Sequence, residues 1–231
     1  MDKESIAVLI PAHNEARTIG KLVDNILEIV DYVCVVDDGS NDNTGNIAKQ
    51  HGAIVITHPV CKGKGAALKT GFQHFQNLPY DVIIAMDGDG QHPVSDLHVF
   101  IEAIKKNKKA GIIVGKRKII GSDMPPIRRL TNLSMSILIS ILAFQWIPDS
   151  QNGFRAIRKK VVENMLIITN HFETETEILL RACWKGVKIS SVPVSTIYQS
   201  EKSKIKPIRD TIKFFLMLLK ICVYHGRKTR L

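Results

Sequence analysis

The sequence predicts a single α/β domain built on a mostly parallel sheet flanked by helices. Six short apolar runs alternate with helical patterns, and this alternation is typical of parallel sheets. Most of the runs are almost continuously hydrophobic, as strands covered on both faces are. A chain of 231 residues, 45% of them hydrophobic, can bury such a core and is too apolar to be disordered.

The predicted elements follow one another in the order of that alternation. The strands are placed at residues 6–10, 32–36, 53–57, 82–86, 111–114 and 188–194. The helices are placed at residues 16–30, 44–51, 65–75 and 95–106, and the second has capping residues at 41–44. In open sheets of this kind, ligands bind at the carboxyl ends of the strands.

Two further apolar segments, at residues 130–147 and 212–224, lie outside this alternation. Serines, Asn132 and Gln145 dilute the first segment and two lysines interrupt the second, so neither is expected to span a membrane. Arginines precede the first segment and follow the second. We predict helices that lie at a membrane interface, with ordinary core helices as the alternative.

The positive charge is concentrated in two regions. The chain has 32 Lys and Arg against 22 Asp and Glu, a net charge of +10. Residues 104–130 carry nine basic and one acidic residue, and residues 201–231 carry nine basic and two acidic residues. The remainder is therefore acidic, and the basic regions are expected to face phosphates, an anionic membrane or nucleic acid. A solvated surface is the alternative.

The cysteines and the amino terminus favour a cytoplasmic protein. No two of the four cysteines have the spacing of a metal site or a redox pair, so free thiols in a reducing compartment are expected. The first apolar run is too short, and its start too acidic, for a signal peptide. With the interfacial helices, this predicts peripheral association with the cytoplasmic face of a membrane.

Polar segments follow three of the predicted strands, at residues 11–15, 37–40 and 87–92. We expect them to meet at one edge of the sheet. Asp87 and Asp89, with the amide oxygen of Gln91, form a hard-oxygen set suited to Mg²⁺ or Mn²⁺, which would bridge a diphosphate. A solvated Asp-Gly turn is the alternative.

Common nucleotide-binding motifs are missing from the sequence. It has no P-loop, and no dinucleotide-binding glycine pattern follows a strand. The segment Lys-Gly-Lys-Gly at residues 62–65 opens the third helix, so its backbone amides could meet an anion. A plain helix-start turn is the alternative.

Four segments match family 2 glycosyltransferases of the GT-A fold in order and spacing, and the chain resembles that family over residues 5–205. The segments are Pro-Ala-His-Asn-Glu at 11–15, Val-Val-Asp-Asp-Gly-Ser at 35–40, Lys-Gly-Lys-Gly at 62–65 and Met-Asp-Gly-Asp-Gly-Gln-His at 86–92. Within the family, the chain is most similar to polyprenyl-phosphate (dolichyl-phosphate) mannosyl- or glucosyltransferases. Segments at 115–117, 149–155 and 198–204 support this.

The resemblance implies roles for several groups of residues. The nucleotide sugar would be held by Pro11, Ala12, Asn14, Glu15, Val36, Asp38, Lys64, Asp87 and Gly88. Asp87, Asp89 and Gln91 would hold the metal, and the candidate catalytic residues are Asp89 and Arg117. The candidate cations for the acceptor phosphate are Arg117, Arg128, Arg129, Arg155, Lys202 and Lys204, with a solvated surface role as the alternative for each. Glu173 and Glu175 stand where the family often carries sugar-contacting acids, although acids are favourable at any helix start.

The implied reaction is an inverting transfer of a hexose from a nucleotide sugar to polyprenyl or dolichyl phosphate, with Mg²⁺ or Mn²⁺ and at a membrane surface. UDP-glucose and GDP-mannose are both candidate donors. The segment at 149–154 is more similar to the glucosyltransferase type, and His13 stands where mannosyltransferases of this group often have Tyr, which favours a UDP-sugar. The motif Gln-x-x-Arg-Trp of processive synthases is absent from the sequence.

The predicted division is a glycosyltransferase domain at 1–205 and a basic amphipathic helix at 206–231. The domain would have a nucleotide-sugar and metal half at 1–118 and an acceptor half at 119–205. The alternatives are a family 2 enzyme with a saccharide acceptor in cell-envelope polysaccharide or glycoprotein synthesis, a nucleotidyltransferase, and a basic nucleic-acid-binding module. The low aromatic content of 6% and the acidic strand ends count against nucleic acid as a partner.

Overall fold

The chain forms two compact units, Met1–Tyr198 and Gln199–Leu231. The structure, a computed structural model, describes residues 4–117, 126–163 and 165–195, and in the second unit Leu218 and Ile221, which are helical and buried. The predicted boundary at 205, the predicted terminal helix and the candidate cations Lys202 and Lys204 therefore lie outside the described residues. So does the side chain of Arg128.

A seven-stranded sheet forms the centre of the first unit. Its strands are β1 Ile6–Ala12, β2 Val33–Asp37, β3 Ile54–Thr57, β4 Val82–Ala85, β5 Ala110–Arg117, β6 Arg155–Arg158 and β7 Lys188–Val194. Their order across the sheet is β3-β2-β1-β4-β6-β5-β7, and β6 alone is antiparallel to its neighbours. This confirms the predicted mostly parallel sheet. Because β6 lies between β4 and β5, the two predicted halves of the domain share one sheet.

Seven α-helices connect the described strands. They are α1 Ile19–Leu27, α2 Thr44–Gln50, α3 Lys64–Phe75, α4 Leu97–Lys106, α5 Pro126–Ala143, α6 Lys159–Val162 and α7 Glu173–Trp184, and a 3₁₀ turn at Val94–Asp96 precedes α4. The first four fall within the predicted helical ranges or one residue beyond. Among the described residues, no helix combines the length and the apolar character needed to cross a bilayer.

The predicted helix at 130–147 is wrong at both ends. Helix α5 begins at Pro126, where proline suits the first turn, and ends at Ala143. Phe144 adopts a left-handed φ of 51°, which cannot continue a helix, and the N–H of Gln145 donates to the carbonyl of Ser140 at 3.2 Å. The apolar composition continues to Ile147, but the backbone turns four residues earlier.

Strand β6 was not predicted because its sequence, Arg-Ala-Ile-Arg, begins and ends with charge. Both arginines are nevertheless buried. Arg158 donates from Nε to the carbonyl of Ala110 at 2.8 Å and forms an ion pair with Glu4. Buried charges of this kind are tolerated because backbone and carboxylate acceptors surround them, a condition that hydropathy does not reveal.

The sheet is packed on both faces. Val8 and Ile10 of β1 belong to the core cluster that includes Ile26 of α1 and Phe100 of α4. Leu9, between them, faces α3, where a Cβ added to Gly71 would lie 2.2 Å from its Cδ1. Glycine at this position therefore lets α3 lie directly on β1, which fixes where α3 begins at the edge of the sheet.

Candidate active site

Three parallel strands bring the predicted polar segments to one edge of the sheet. Ala12 at the end of β1 is paired with Asp37 at the end of β2, and Leu9 is paired with Ala85 at the end of β4. The segments after these strands are also bonded to each other. The Oγ1 of Thr18 donates to the carbonyl of Gly88 at 2.7 Å, and the N–H of Asp38 donates to that of Ala12 at 2.8 Å.

Asp38 is the anchor of the loop that follows β3. It is buried, and one carboxylate oxygen accepts from the N–H of Lys62 at 2.9 Å and from Nδ1 of His58 at 2.7 Å. The other oxygen accepts from the N–H of Gly63 at 2.7 Å and from the thiol of Cys61. Burial alone would raise the pKa of Asp38, but these donors lower it below its ordinary value. These contacts give Asp38 a role in positioning the loop, and its contact with a nucleoside stays a prediction.

The other predicted nucleoside residues fall into two groups. The side chains of Pro11, Ala12 and Val36 are buried in the sheet and shape the edge from within. Asn14 is exposed and has a left-handed φ of 58°, and its Oδ1 accepts from the N–H of Asn41 at 2.9 Å. The N–H of Glu15 donates to a threonine at the start of α2 at 2.8 Å. The first polar segment is thus tied by hydrogen bonds to the residues that directly follow the second.

Lys64 joins two carboxylates that come from different parts of the chain. Its Nζ lies 2.5 Å from Oδ1 of Asp87, after β4, and 3.2 Å from Oε1 of Glu175, in the first turn of α7. Burial would lower the pKa of Lys64, but the two carboxylates raise it well above its ordinary value. Burial would raise the pKa of Asp87, but Lys64, with help from His92 and Arg155, lowers it. Lys64 and Asp87 are therefore both charged at neutral pH.

Three glycines make this approach possible. A Cβ on Gly153 would lie 2.8 Å from Nζ of Lys64 and 3.0 Å from Oδ2 of Asp87. A Cβ on Gly65 would lie 1.8 Å from Oγ1 of Thr174, and Gly63 has a φ of 100°. The Lys-Gly-Lys-Gly segment therefore packs the start of α3 against the start of α7, as a helix-start turn. Its contact with an anion stays a prediction.

Asp89 is the second carboxylate of the predicted metal site. Its Oδ1 accepts from the N–H of Gln91 at 2.9 Å across a turn in which Gly90 has a φ of 72°. Burial and the negative charge of Asp87 raise its pKa, so a cation between the two carboxylates would relieve their repulsion. The metal role of the Gln91 side chain stays a prediction.

The donor set fits Mg²⁺ or Mn²⁺ held jointly by protein and substrate. Within residues 4–117, 126–163 and 165–195, no group of three or more acidic, His or Cys side chains is placed to hold a metal. Magnesium is usually bound by one or two carboxylates together with substrate phosphates and water, without an all-protein cage. Asp87 and Asp89 meet that description.

Arg117, at the end of β5, is held in a fixed orientation by Asp149. Its Nε and Nη2 each donate to a different carboxylate oxygen of Asp149 at 2.8 Å. The backbone N–H of Arg117 donates to the same carboxylate at 3.2 Å. The paired side chains lie largely out of solvent, but 17% of Arg117 remains exposed. A planar guanidinium fixed in this way is the type of group that recognises phosphates, and the phosphate contact of Arg117 stays a prediction.

The structure does not support the acceptor-phosphate role predicted for Arg155. Its Nε, Nη1 and Nη2 donate to the carbonyls of Asn152, Glu175 and Ser150 at 2.7–2.8 Å. With 2% of the residue exposed, it connects β6, the loop before it and α7. Burial lowers its pKa, and nearby carboxylates counter that effect. Arg129, the remaining candidate with a described side chain, is partly exposed near the start of α5.

The sequence matches the model of glycosyl transferase family 2 over residues 7–166. The chain belongs to glycosyl transferase family 2. One relative is the UDP-N-acetylglucosamine–dolichyl-phosphate N-acetylglucosaminyltransferase of Methanococcus voltae, which is 31% identical over 86% of this chain and 88% of its own length. Another is a dolichyl-phosphate hexose transferase of Haloferax volcanii, 28% identical over 95% of both chains.

A solved structure supports the fold of this family 2 glycosyltransferase. Glucosyl-3-phosphoglycerate synthase of Mycobacterium tuberculosis, in complex with Mn²⁺, UDP and glucosyl-3-phosphoglycerate, superposes with a TM-score of 0.74. The match covers 95% of this chain and 80% of that chain at 20% sequence identity. At that identity the likeness shows the shared GT-A architecture.

Sequence reasoning missed two partners of the glycosyltransferase site. His58 has no spacing in the sequence that suggests a metal site, yet it binds Asp38 through Nδ1 and Thr70 through Nε2. Asp149 was noted within a motif, without its pairing to Arg117. Neither residue has a local sequence signal, because each contacts a side chain more than 15 positions away that only the folded chain brings near.

We predict that the contribution of Asp38 to stability depends on pH. Because its folded-state pKa is lowered, the stabilisation is complete above its ordinary pKa and is lost as pH falls through the folded-state pKa. Asp38→Asn should lower the free energy of unfolding by about 2 kcal/mol at pH 7, and the deficit should shrink in acid. Urea unfolding of both proteins from neutral to acid pH measures this, with Asp31→Asn as the exposed control. A deficit that is constant with pH would contradict the assignment.

Proposed function

We propose that the chain transfers a hexose or N-acetylhexosamine from a UDP-sugar to a polyprenyl phosphate, with inversion at the anomeric carbon. The observation that carries the proposal is the placement of Lys64, Asp87 and Asp89 at the carboxyl edge, with Arg117 held at the end of β5 in the same sheet. Lys64, Asp87 and Asp89 have the charges needed for a nucleoside diphosphate. Arg117 would bind a separate phosphate.

The names of the relatives support the acceptor. Both relatives are named for dolichyl phosphate and match this chain over most of their own length, which supports a polyprenyl phosphate as its acceptor. The relatives differ in the sugar they are named for, which leaves the sugar of this chain open. The UDP preference comes from the segment at 149–154, and the Methanococcus relative is named for a UDP-sugar.

The donor diphosphate would bind where Lys64 now neutralises Asp87. Asp87 and Asp89 would hold a divalent ion, which neutralises the charge that develops on the departing diphosphate. Lys64 lies close enough to Asp87 to pair with a phosphate oxygen instead, while Glu175 stays beside it. Because Glu175 would lie beside this lysine, we propose that it contacts the sugar.

The acceptor needs orientation more than activation. A phosphate monoester is ionised near pH 7, so its oxygen can attack the anomeric carbon without a strong general base. Arg117, fixed by Asp149, would orient that phosphate, and positioning with electrostatic stabilisation would supply most of the acceleration. Such a reaction would take place at the cytoplasmic face of a membrane, where a polyprenyl phosphate is held.

A donor panel tests the function. The purified protein is incubated with Mn²⁺, a short-chain polyprenyl phosphate in detergent and each of UDP-glucose, UDP-N-acetylglucosamine and GDP-mannose, all radiolabelled. We expect organic-extractable label with a UDP-sugar. No extractable product with any donor, while label reaches a free saccharide acceptor, would overturn the lipid-phosphate assignment.

Asp89→Asn should reduce turnover by at least about 100-fold while leaving the fold intact. The amide keeps the size of the side chain but removes the charge that a divalent ion requires. The measurement is the transfer rate at saturating donor, with thermal unfolding recorded in parallel. Asp31→Asn, on an exposed loop before β2, is the matched control and should retain full activity. Normal turnover of the Asp89 variant would exclude it from the metal site.

Substitutions of two arginines should have different effects, one on activity and the other on stability. Arg117→Lys should raise the KM for the lipid phosphate by about tenfold or more, with little change in the KM for the donor. The reason is that lysine cannot form the two-point contact that a guanidinium makes with a phosphate. Arg155→Lys should instead lower the free energy of unfolding by about 2–3 kcal/mol, since buried carbonyls lose their donors. Steady-state kinetics and urea unfolding of both variants distinguish the roles. A donor-specific KM defect in Arg117→Lys would contradict the acceptor assignment.

A further inference from the structure

Helix α5 exposes a continuous apolar stripe to solvent. Its members are spaced by three or four residues, so they share one face, and each is between 40% and 68% exposed. They are Leu130, Leu133, Ile137 and Ile141. Phe144 and Trp146, just beyond the helix, extend the stripe and are 92% and 62% exposed. Apolar side chains collected on one solvent-facing surface mark an interaction site.

The opposite face of α5 packs against the protein and includes polar as well as apolar side chains. Ser136 and Ser140 are buried there together with Ile139 and Ala143. The Oγ of Ser136 accepts from the N–H of Ser150 at 3.0 Å, and the Oγ of Ser140 accepts from the N–H of Ile147 at 2.9 Å. These bonds fix the rotation of the helix, so the stripe faces outward as a property of the fold.

The charge around the stripe suits an anionic partner. No acidic residue occurs from 126 to 148. Gln145, next to Phe144, bonds to the backbone of Val187 and Ile189, and the exposed residue between these two is Lys188. Arginine precedes the stripe at position 129, at its other end. Cations at both ends with apolar and tryptophan side chains between them are the pattern of helices that lie in the headgroup region of a bilayer.

We infer that this stripe, from Leu130 to Trp146, docks the protein on an anionic lipid bilayer. The inference rests on the proposed function only for the biological reason to dock. Docking itself does not depend on it, because a lipid surface can be bound whether or not a sugar is transferred. The buried face of α5 connects docking to the site: Ser136 holds Ser150, whose neighbour Asp149 orients Arg117. A bilayer under α5 would thus lie one helix away from the arginine proposed to bind the lipid phosphate.

Vesicle binding of the full chain tests the inference. The double variant Ile137→Gln with Ile141→Gln is compared with Ile54→Gln with Leu166→Gln, which removes two exposed apolar side chains elsewhere. Wild type and the control pair should float with phosphatidylcholine vesicles that contain phosphatidylglycerol, and less well with phosphatidylcholine alone. The Ile137 and Ile141 pair should lower the partition constant by about 100-fold, about tenfold for each isoleucine.

Three results would overturn the inference. The stripe variant could bind vesicles as wild type does. Wild type could be a dimer that the stripe variant converts to a monomer in light scattering, so that the stripe faces a second copy. The stripe variant could melt well below the control pair, so that the stripe packs against another part of this chain. Transfer to a short-chain acceptor in detergent should be equal in all three proteins, and its absence from all three would refute the proposed function while leaving the docking result intact.

Discussion

The candidate site depends on one largely buried cation, the ammonium group of Lys64, held between Asp87 and Glu175. Removing three charges from water is unfavourable unless they are paired closely. The close pairing requires that α3 and α7 begin against each other, and Gly65 and Gly153 leave the space for it. The packing of α3 against α7 and the charge pairing at the carboxyl edge of the sheet therefore depend on each other. Together they join the segment after β4 to a helix about 90 residues later in the chain.

This arrangement also explains why the site suits a charged ligand. Asp87 is neutralised by Lys64, whereas the pKa of Asp89 is raised by burial and by the negative charge of Asp87. A ligand that brings both a divalent ion and a diphosphate satisfies all of these groups together, because the phosphates can take the lysine and the ion can take the carboxylates. The divalent ion alone, or the diphosphate alone, would not satisfy all of these charged groups.

The parts of the fold that could be predicted are those in which hydropathy and burial agree. The strands β1 to β5 and β7 are recognisable as apolar runs, and their carboxyl ends identified the acidic edge. Strand β6 could not be predicted because its charged residues, Arg155 and Arg158, are buried among carbonyls. The end of α5 could not be predicted because a left-handed residue, Phe144, stops the helix inside an apolar segment. In each case long-range hydrogen bonding or backbone geometry overrides the local pattern.

The most direct test of the account is the metal dependence of UDP binding, measured by isothermal titration with Mn²⁺ and with EDTA. Joint coordination by two carboxylates and the diphosphate predicts that UDP binds at least about tenfold more tightly with Mn²⁺, a coupling of about 1.4 kcal/mol. Uridine, which has no diphosphate, should show no such difference. Equal UDP affinity in Mn²⁺ and EDTA would contradict the account, because the carboxylates at the edge would then play no part in holding the donor.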